Sequence, residues 1–226
     1  VCSQLDDPPA AIAAFCDLAP FGPFPARELV RHPDWLEEIA LAAGQTRDAR
    51  FFAEAIHEGC EGQELEACYR ILRHTKRRES LAVFLREIRG GSMRETAAGF
   101  ADVAEATLAA AVTAVDAARF GGALADSICV LGMGKLGGRE LNPSSDVDVI
   151  FVCEDRAAED DALRTQLVEL AQGVVDADCR VHGIGNLFIA GSSVFPTDGY
   201  ANPTLTLVAL AVRLSERLAD WKKRSR

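Results

Sequence analysis

Apolar positions along this chain follow two different periods, and the change of period divides it. From Ala10 to Arg119 they recur three and four residues apart, the spacing of a helix face. Short helices are predicted over Ala10 to Cys16 and Ala26 to Arg31, between kinks set by Pro8, Pro9, Pro20, Pro23, Pro25 and Pro33. Asp34 is placed to cap a helix from Trp35 to about Ala43, which Gly44 ends. Further helices are predicted over Arg47 to Glu58 and Glu64 to His74, with stripes Phe51–Phe52–Ile56 and Leu65–Cys68–Tyr69–Leu72. Leu81 to Gly90, Met93 to Phe100 and the alanine-rich run Ala101 to Arg119 continue the pattern until Gly121-Gly122. All of these stripes are core faces.

At Ile128 the period changes. Ile128 to Leu131 is a short apolar strand, and Gly132, Gly134, Gly137 and Gly138 form a glycine-rich turn after it. Val147 to Val152 is a second strand, followed by an acidic loop from Glu154 to Asp161 and a helix over Ala162 to Gln172. Farther on, Leu187 to Ala190 is strand-like, and Asn202-Pro203 heads a helix that runs to about Trp221. The predicted fold class is α+β. A helical region over residues 1–120 precedes a small mixed sheet over 121–172, and 173–226 adds a strand-plus-helix tail.

The second strand begins with two carboxylates one residue apart. Side chains alternate along a strand, so Asp146 and Asp148 share a face. Two such oxygens beside a loop rich in free backbone N–H groups suit a divalent metal and a polyphosphate together. Composition narrows the partners. A net charge of −10 disfavours nucleic acid and anionic membranes. A nucleotide would need local positive potential from a metal, a helix start, or Lys135 and Arg139.

The basic cluster Arg70, Arg73, His74, Lys76, Arg77 and Arg78 is expected to be a solvated helix end, and His32, His57 and His74 lack metal-ligand spacing. Seven cysteines without a C-x-x-C pair are expected to be reduced and mostly buried. With no run expected to span a bilayer and no secretory leader, the chain is expected to be cytoplasmic.

The run Gly134-Lys135-Leu136-Gly137-Gly138-Arg139-Glu140-Leu141-Asn142, followed by Ser144-Ser145-Asp146-Val147-Asp148, resembles the nucleotidyltransferase motif of bacterial glutamine synthetase adenylyltransferases. The Glu-Leu-Asn variant is similar to the amino-terminal half, which removes AMP from glutamine synthetase. The resemblance covers about residues 27–172 and makes 121–172 a partial nucleotidyltransferase core. It implies Mg²⁺ with ATP or AMP as cofactors and glutamine synthetase as the partner. It further implies Asp146 and Asp148 as catalytic metal ligands, and Lys135, Gly137, Gly138, Arg139 and Ser145 as the nucleotide-binding set. That family adds a third carboxylate in an R-V-D-x-R-L-R-P context. Here only Asp176 and Asp178, in Val-Val-Asp-Ala-Asp-Cys-Arg-Val, offer a substitute.

From about residue 173 to 221 the chain resembles instead the carboxy-terminal end of glucose–methanol–choline (GMC) flavin oxidoreductases. By that resemblance Asn202 would belong to the catalytic pair beside FAD. The amino-terminal G-x-G-x-x-G fold of that family has no counterpart upstream, and His182 does not match its catalytic histidine. Three readings stand: a nucleotidyltransferase acting on adenylylated glutamine synthetase, a piece of a flavin-dependent alcohol oxidoreductase, and a non-catalytic fusion of the two.

Overall fold

The computed structural model describes residues 6–45, 47–143, 145, 147–153, 157 and 160–174. The predicted strand Leu187–Ala190 and helix from Asn202 lie outside these residues, as do Cys2, Asp176, Asp178, Cys179 and His182.

Helix α1 spans Pro8–Leu18, starting two residues before the predicted bound because Asp7 caps it, its side chain accepting from the Ala10 amide at 3.1 Å. Helices α2 (Pro23–Arg31) and α3 (Trp35–Ala43) follow. Asp34 precedes α3 as expected but makes no side-chain cap. Its own backbone is already helical at φ −61°, because the turn closes earlier through Trp35 N–H to the His32 carbonyl. Helix α4 (Ala49–Cys60) is capped by Asp48 through the Phe51 amide.

Two pairs of predicted helices prove continuous. Helix α5 is one 24-residue rod, Leu65–Ile88, and α6 one 28-residue rod, Met93–Phe120. The basic stretch therefore lies in mid-helix, not at a solvated end. It survives there because carboxylates face it: Arg77 pairs with Glu28 at 3.1 Å, and Arg78 pairs with Glu79 at 3.0 Å and with Glu38. Glu79 is itself buried and also accepts from Arg47 at 3.0 Å. Helix α6 begins on a reciprocal cap in which Ser92 and Glu95 each bond the other's backbone amide. Gly121, at φ 69°, ends it in the left-handed conformation glycine tolerates best.

Helix α6 is the central beam. It packs on α4 and α5, and on its far side against α8 (Asp161–Val174). By length and apolarity alone α6 could cross a membrane, contrary to the sequence expectation, yet 67% of its apolar window is buried inside the protein. That is the behaviour of a core helix. A second, smaller core joins α1, α2 and α3 to α5 through Leu18, Leu29, Trp35, Ile39, Leu81 and Leu85. On the rim of that core His32 stacks on Trp35 at 4.2 Å, and His74 meets both edge-on.

Strands β1 (Ile128–Met133) and β2 (Asp148–Cys153) form an antiparallel pair. The α+β class holds, but the sheet among the described residues is antiparallel and not mixed. A one-turn helix α7 (Gly134–Gly137) leaves β1. The inward positions Ile128, Val130, Val149 and Phe151 join the core beside α6 and α8. The cysteines are less buried than expected: Cys16, Cys129 and Cys153 are exposed, and Cys68 is buried. Burial, with Cys68 beside it, pushes the Cys60 thiol up to about 12.

Gly173 and His74 each put this packing to the test. A Cβ on Gly173 would lie 2.5 Å from Val115 Cγ1, in an α8 that Tyr69 also grips by donating its hydroxyl to the Gly173 carbonyl at 2.8 Å. Alanine normally strengthens a helix interior by about 1 kcal/mol. Here the clash dominates, and Gly173→Ala should lower urea-unfolding stability by about 1–3 kcal/mol. The His74 imidazole is held below its ordinary value, first by loss of surrounding water and then by His32, Arg77 and Arg73, with Glu28 opposing. The unfolded chain thus binds more protons near pH 6, and stability should fall as pH drops through about 6.5. Unfolding midpoints at pH 7.5 and 5.5 should differ less in His74→Phe than in the native chain.

Candidate functional site

The register of the two strands creates the site. Cys129 pairs with Val152, Leu131 with Ile150, and Met133 with Asp148. Asp148 therefore stands at the end of β2 where β1 turns into α7. Gly134, at φ 52°, admits it: a Cβ there would come within 2.9 Å of Asp148 Oδ2. The half-buried Asp148 carboxylate thus faces the first residue of α7, whose opening amides lack partners within the helix. No basic side chain among the described residues pairs with Asp148. Its predicted companion Asp146 lies outside the described residues, as does Asn202. No group of three metal-type ligands occurs among the described residues.

The glycine turn differs from the expected cradle of free amides. Gly138 N–H donates to the Gly134 carbonyl at 2.9 Å, Arg139 N–H to Leu136 at 3.0 Å and Glu140 N–H to Lys135 at 2.7 Å. Those three donors are consumed in closing the turn. Gly137 is needed for packing: a Cβ on it would lie 2.4 Å from the Gly132 carbonyl oxygen, so α7 folds back directly onto β1. Leu136 fills the space above Gly132 and is buried. Lys135 and Gly138 are exposed. Ser145 serves a local turn, its hydroxyl accepting from the Asn142 amide at 3.1 Å while its own amide donates to the Asn142 carbonyl.

Arg139 is turned toward the helical region. With φ at 55° it is the one non-glycine residue in the left-handed region among those described. Its guanidinium donates to Asp102 of α6 at 2.6 Å and lies 3.7 Å from Glu105. The Asp102 hydrogen bond raises the Arg139 pKa further. A guanidinium anchored in this way steadies the loop.

The anchors on α6 escaped sequence reasoning. Asp102 interrupts an otherwise apolar run, Ala101 to Ala104. Asp116 continues the spacing Leu108–Val112–Asp116 into the core, where it is 1% exposed. A carboxylate at a core position is the signal in both cases. Asp116 accepts the Leu124 amide at 3.1 Å and the Ala125 amide at 2.7 Å, which fixes the entry to β1.

The donor set at Asp148 consists of oxygen, which suits a hard cation such as Mg²⁺ held through few protein ligands and substrate phosphates. A flavin or nicotinamide fold finds no such match among the described residues. That fold needs parallel strands joined by a crossover helix, whereas β1 and β2 run antiparallel and α7 has a single turn.

Removing the Asp116 carboxylate leaves two amides without their acceptor. Asp116→Ala should cost about 2–4 kcal/mol in chemical unfolding. Hydrogen exchange should then accelerate at 128–133 before it does in α4.

A family model described as glutamate-ammonia ligase adenylyltransferase matches residues 12–172, and one described as GMC oxidoreductase matches residues 169–211. Among curated proteins, the chain is similar to the bifunctional glutamine synthetase adenylyltransferase/adenylyl-removing enzyme of Streptomyces avermitilis, with 39% identity over 88% of this chain and 19% of that enzyme. Its counterparts from Streptomyces coelicolor (33%, covering 88% and 19%) and Bordetella pertussis (30%, covering 87% and 23%) are also similar. The chain spans about a fifth of the length of these relatives. A match over residues 12–172, with the glycine turn and Asp148 inside it, means that this chain belongs to the glutamate-ammonia ligase adenylyltransferase family.

Proposed function

We propose that the chain carries the nucleotide-handling part of an enzyme that removes AMP from adenylylated glutamine synthetase. The observation that supports this reading is the seating of Asp148 against Gly134, which sets a carboxylate at the mouth of the glycine turn. In the reaction, an oxygen of inorganic phosphate attacks the phosphorus of adenylyl-tyrosine. The bond from phosphorus to the tyrosine oxygen breaks, ADP leaves, and the phenolate takes up a proton. The relatives are named for both adenylyl transfer to and adenylyl removal from glutamine synthetase; the Glu140-Leu141-Asn142 variant favours removal.

Each residue has a distinct role in this reading. Asp146 and Asp148 would hold Mg²⁺, which would supply charge neutralisation of the phosphates. The exposed Lys135 ammonium draws the anionic nucleotide toward the turn, compensating locally for a net charge of −10. Gly137 and Gly138 keep the turn tight enough for close approach, and Arg139 holds it against α6 through Asp102. Ser145 shapes the chain leading into Asp146. A cytoplasmic site of action goes with this reading, because the reaction consumes inorganic phosphate and returns ADP to the adenine nucleotide pool.

A second reading rests on the match at residues 169–211. A flavin-binding tail around Asn202 would require a dinucleotide fold from elsewhere, and purified protein would then be yellow. We favour the first reading, because its motif lies within the described fold.

Calorimetric titration with Mg²⁺-ATP tests it. The native chain should bind in the micromolar to millimolar range, about −8 to −4 kcal/mol. Asp146→Asn/Asp148→Asn should abolish the heat, and omission of Mg²⁺ should do the same. Equal heats in both proteins would refute the assignment of the two carboxylates.

A further inference from the structure

Strands β1 and β2 are apolar on both faces. On the inner face Ile128, Val130, Val149 and Phe151 join the core beside α6. The outer face presents Cys129, Leu131 and Met133 from β1 and Ile150 and Val152 from β2. Leu131, Met133, Ile150 and Val152 are 46%, 44%, 41% and 43% exposed. The wet face of an antiparallel pair normally carries polar residues, so an apolar one marks a surface that takes up a ligand or partner. Helix α7 does not cover it, because α7 folds toward the inner side, where Leu136 sits on Gly132.

Asp148 marks one end of this outer face. It is the one charged residue that the two strands place there, and it stands directly opposite Met133. Ile150 lies on the same side of β2 two residues on, about 7 Å away, and Leu131 stands opposite Ile150. Met133, Leu131 and Ile150 thus form a shelf about 7 Å by 5 Å that starts at the carboxylate.

We infer that this shelf takes the purine ring of the nucleotide whose phosphates and Mg²⁺ sit at Asp148. The inference rests on the nucleotide reading above and adds the seat of the base. A nucleotide has a charged end and a flat, uncharged end, and this face is divided in the same way. Its carboxylate end suits the metal and phosphates, and its apolar stretch suits the ring, with the Met133 thioether a favourable ring contact.

Size selects this occupant. The whole two-strand face offers roughly 200 Å², well short of the ~800 Å² per partner of a stable protein complex. One side of a ring removes about 100 Å² from water, about half of what a fully buried aromatic side chain does. At about 25 cal/mol per Å², that contact is worth roughly ten- to a hundredfold in affinity. Leu131, Met133 and Ile150 carry no strong hydrogen-bonding group, so the shelf holds the base by area.

Two measurements on the full chain test the seat. Adenosine, which has no phosphate, is titrated without metal at millimolar concentration against protein carrying ¹³C-labelled Leu, Ile and Met methyls. Ring-current shifts are expected at Leu131, Met133 and Ile150, with Leu18 and Leu85 of the second core unmoved. Calorimetry then compares Mg²⁺-ATP with Mg²⁺-tripolyphosphate, which lacks the nucleoside. ATP should bind at least about tenfold more tightly. In Leu131→Ser/Ile150→Ser its affinity should fall to that of tripolyphosphate, which should itself bind as in the native chain. Adenosine shifts that are absent or lie elsewhere would overturn the inference, as would equal affinities for the two ligands in the native chain. Adenosine shifts at the shelf without tripolyphosphate binding would uphold the seat and refute the carboxylate assignment instead.

Discussion

The Asp116 carboxylate fixes where the sheet begins. It lies in the core near the end of α6 and holds the Leu124 and Ala125 amides, so the chain leaves the left-handed turn at Gly121 along a single path. Strand β1 must then start at Ile128 beside α6, with Ile128 and Val130 facing inward. Side chains alternate strictly, so a slip of one residue would turn Gly132 out and drive Leu131 and Met133 into the core. The pairing of Met133 with Asp148, and the placement of the carboxylate at Gly134, both descend from that anchor.

The glycine turn is held from two sides. Its own carbonyls take up the amides of Gly138, Arg139 and Glu140, and its Arg139 guanidinium reaches across to Asp102 and Glu105 of α6. Arg139 is about half exposed, so water screens the pair and its worth is modest, about 1 kcal/mol or less. Its value lies in geometry, because it ties a strained left-handed residue to a rigid rod. A loop already bonded within itself offers a ligand few amides, so the proposed chemistry rests on carboxylates and the exposed Lys135.

Much of this was legible in the sequence. Apolar periodicity located the helices and both strands, and the glycine turn with Asp-x-Asp located the site. What escaped was set by tertiary contacts. Arg77 and Arg78 looked like a solvated helix end, because the Glu28 and Glu38 that pair with them lie about forty to fifty residues away. Helix α5 runs on unbroken through these residues. Asp34 sits where a cap belongs, yet the turn at His32 makes it redundant. Glycine spacing announces a turn but cannot say whether its amides are free, and here Gly137 serves a close approach to Gly132. Asp102 and Asp116 were visible only as carboxylates out of place in an apolar stripe.

Strand register brings the Asp148 carboxylate, the metal ligand we propose, to the start of α7. Titration of the ¹⁵N-labelled chain with Mn²⁺ in the presence of ATP, read as paramagnetic broadening of amide signals, tests it most directly. Selective loss of the Gly134, Lys135 and Asp148 amides is expected, with α1 and α3 untouched, and recovery of all three signals in Asp148→Asn. Broadening centred elsewhere, or persisting at Gly134 in that variant, would contradict it.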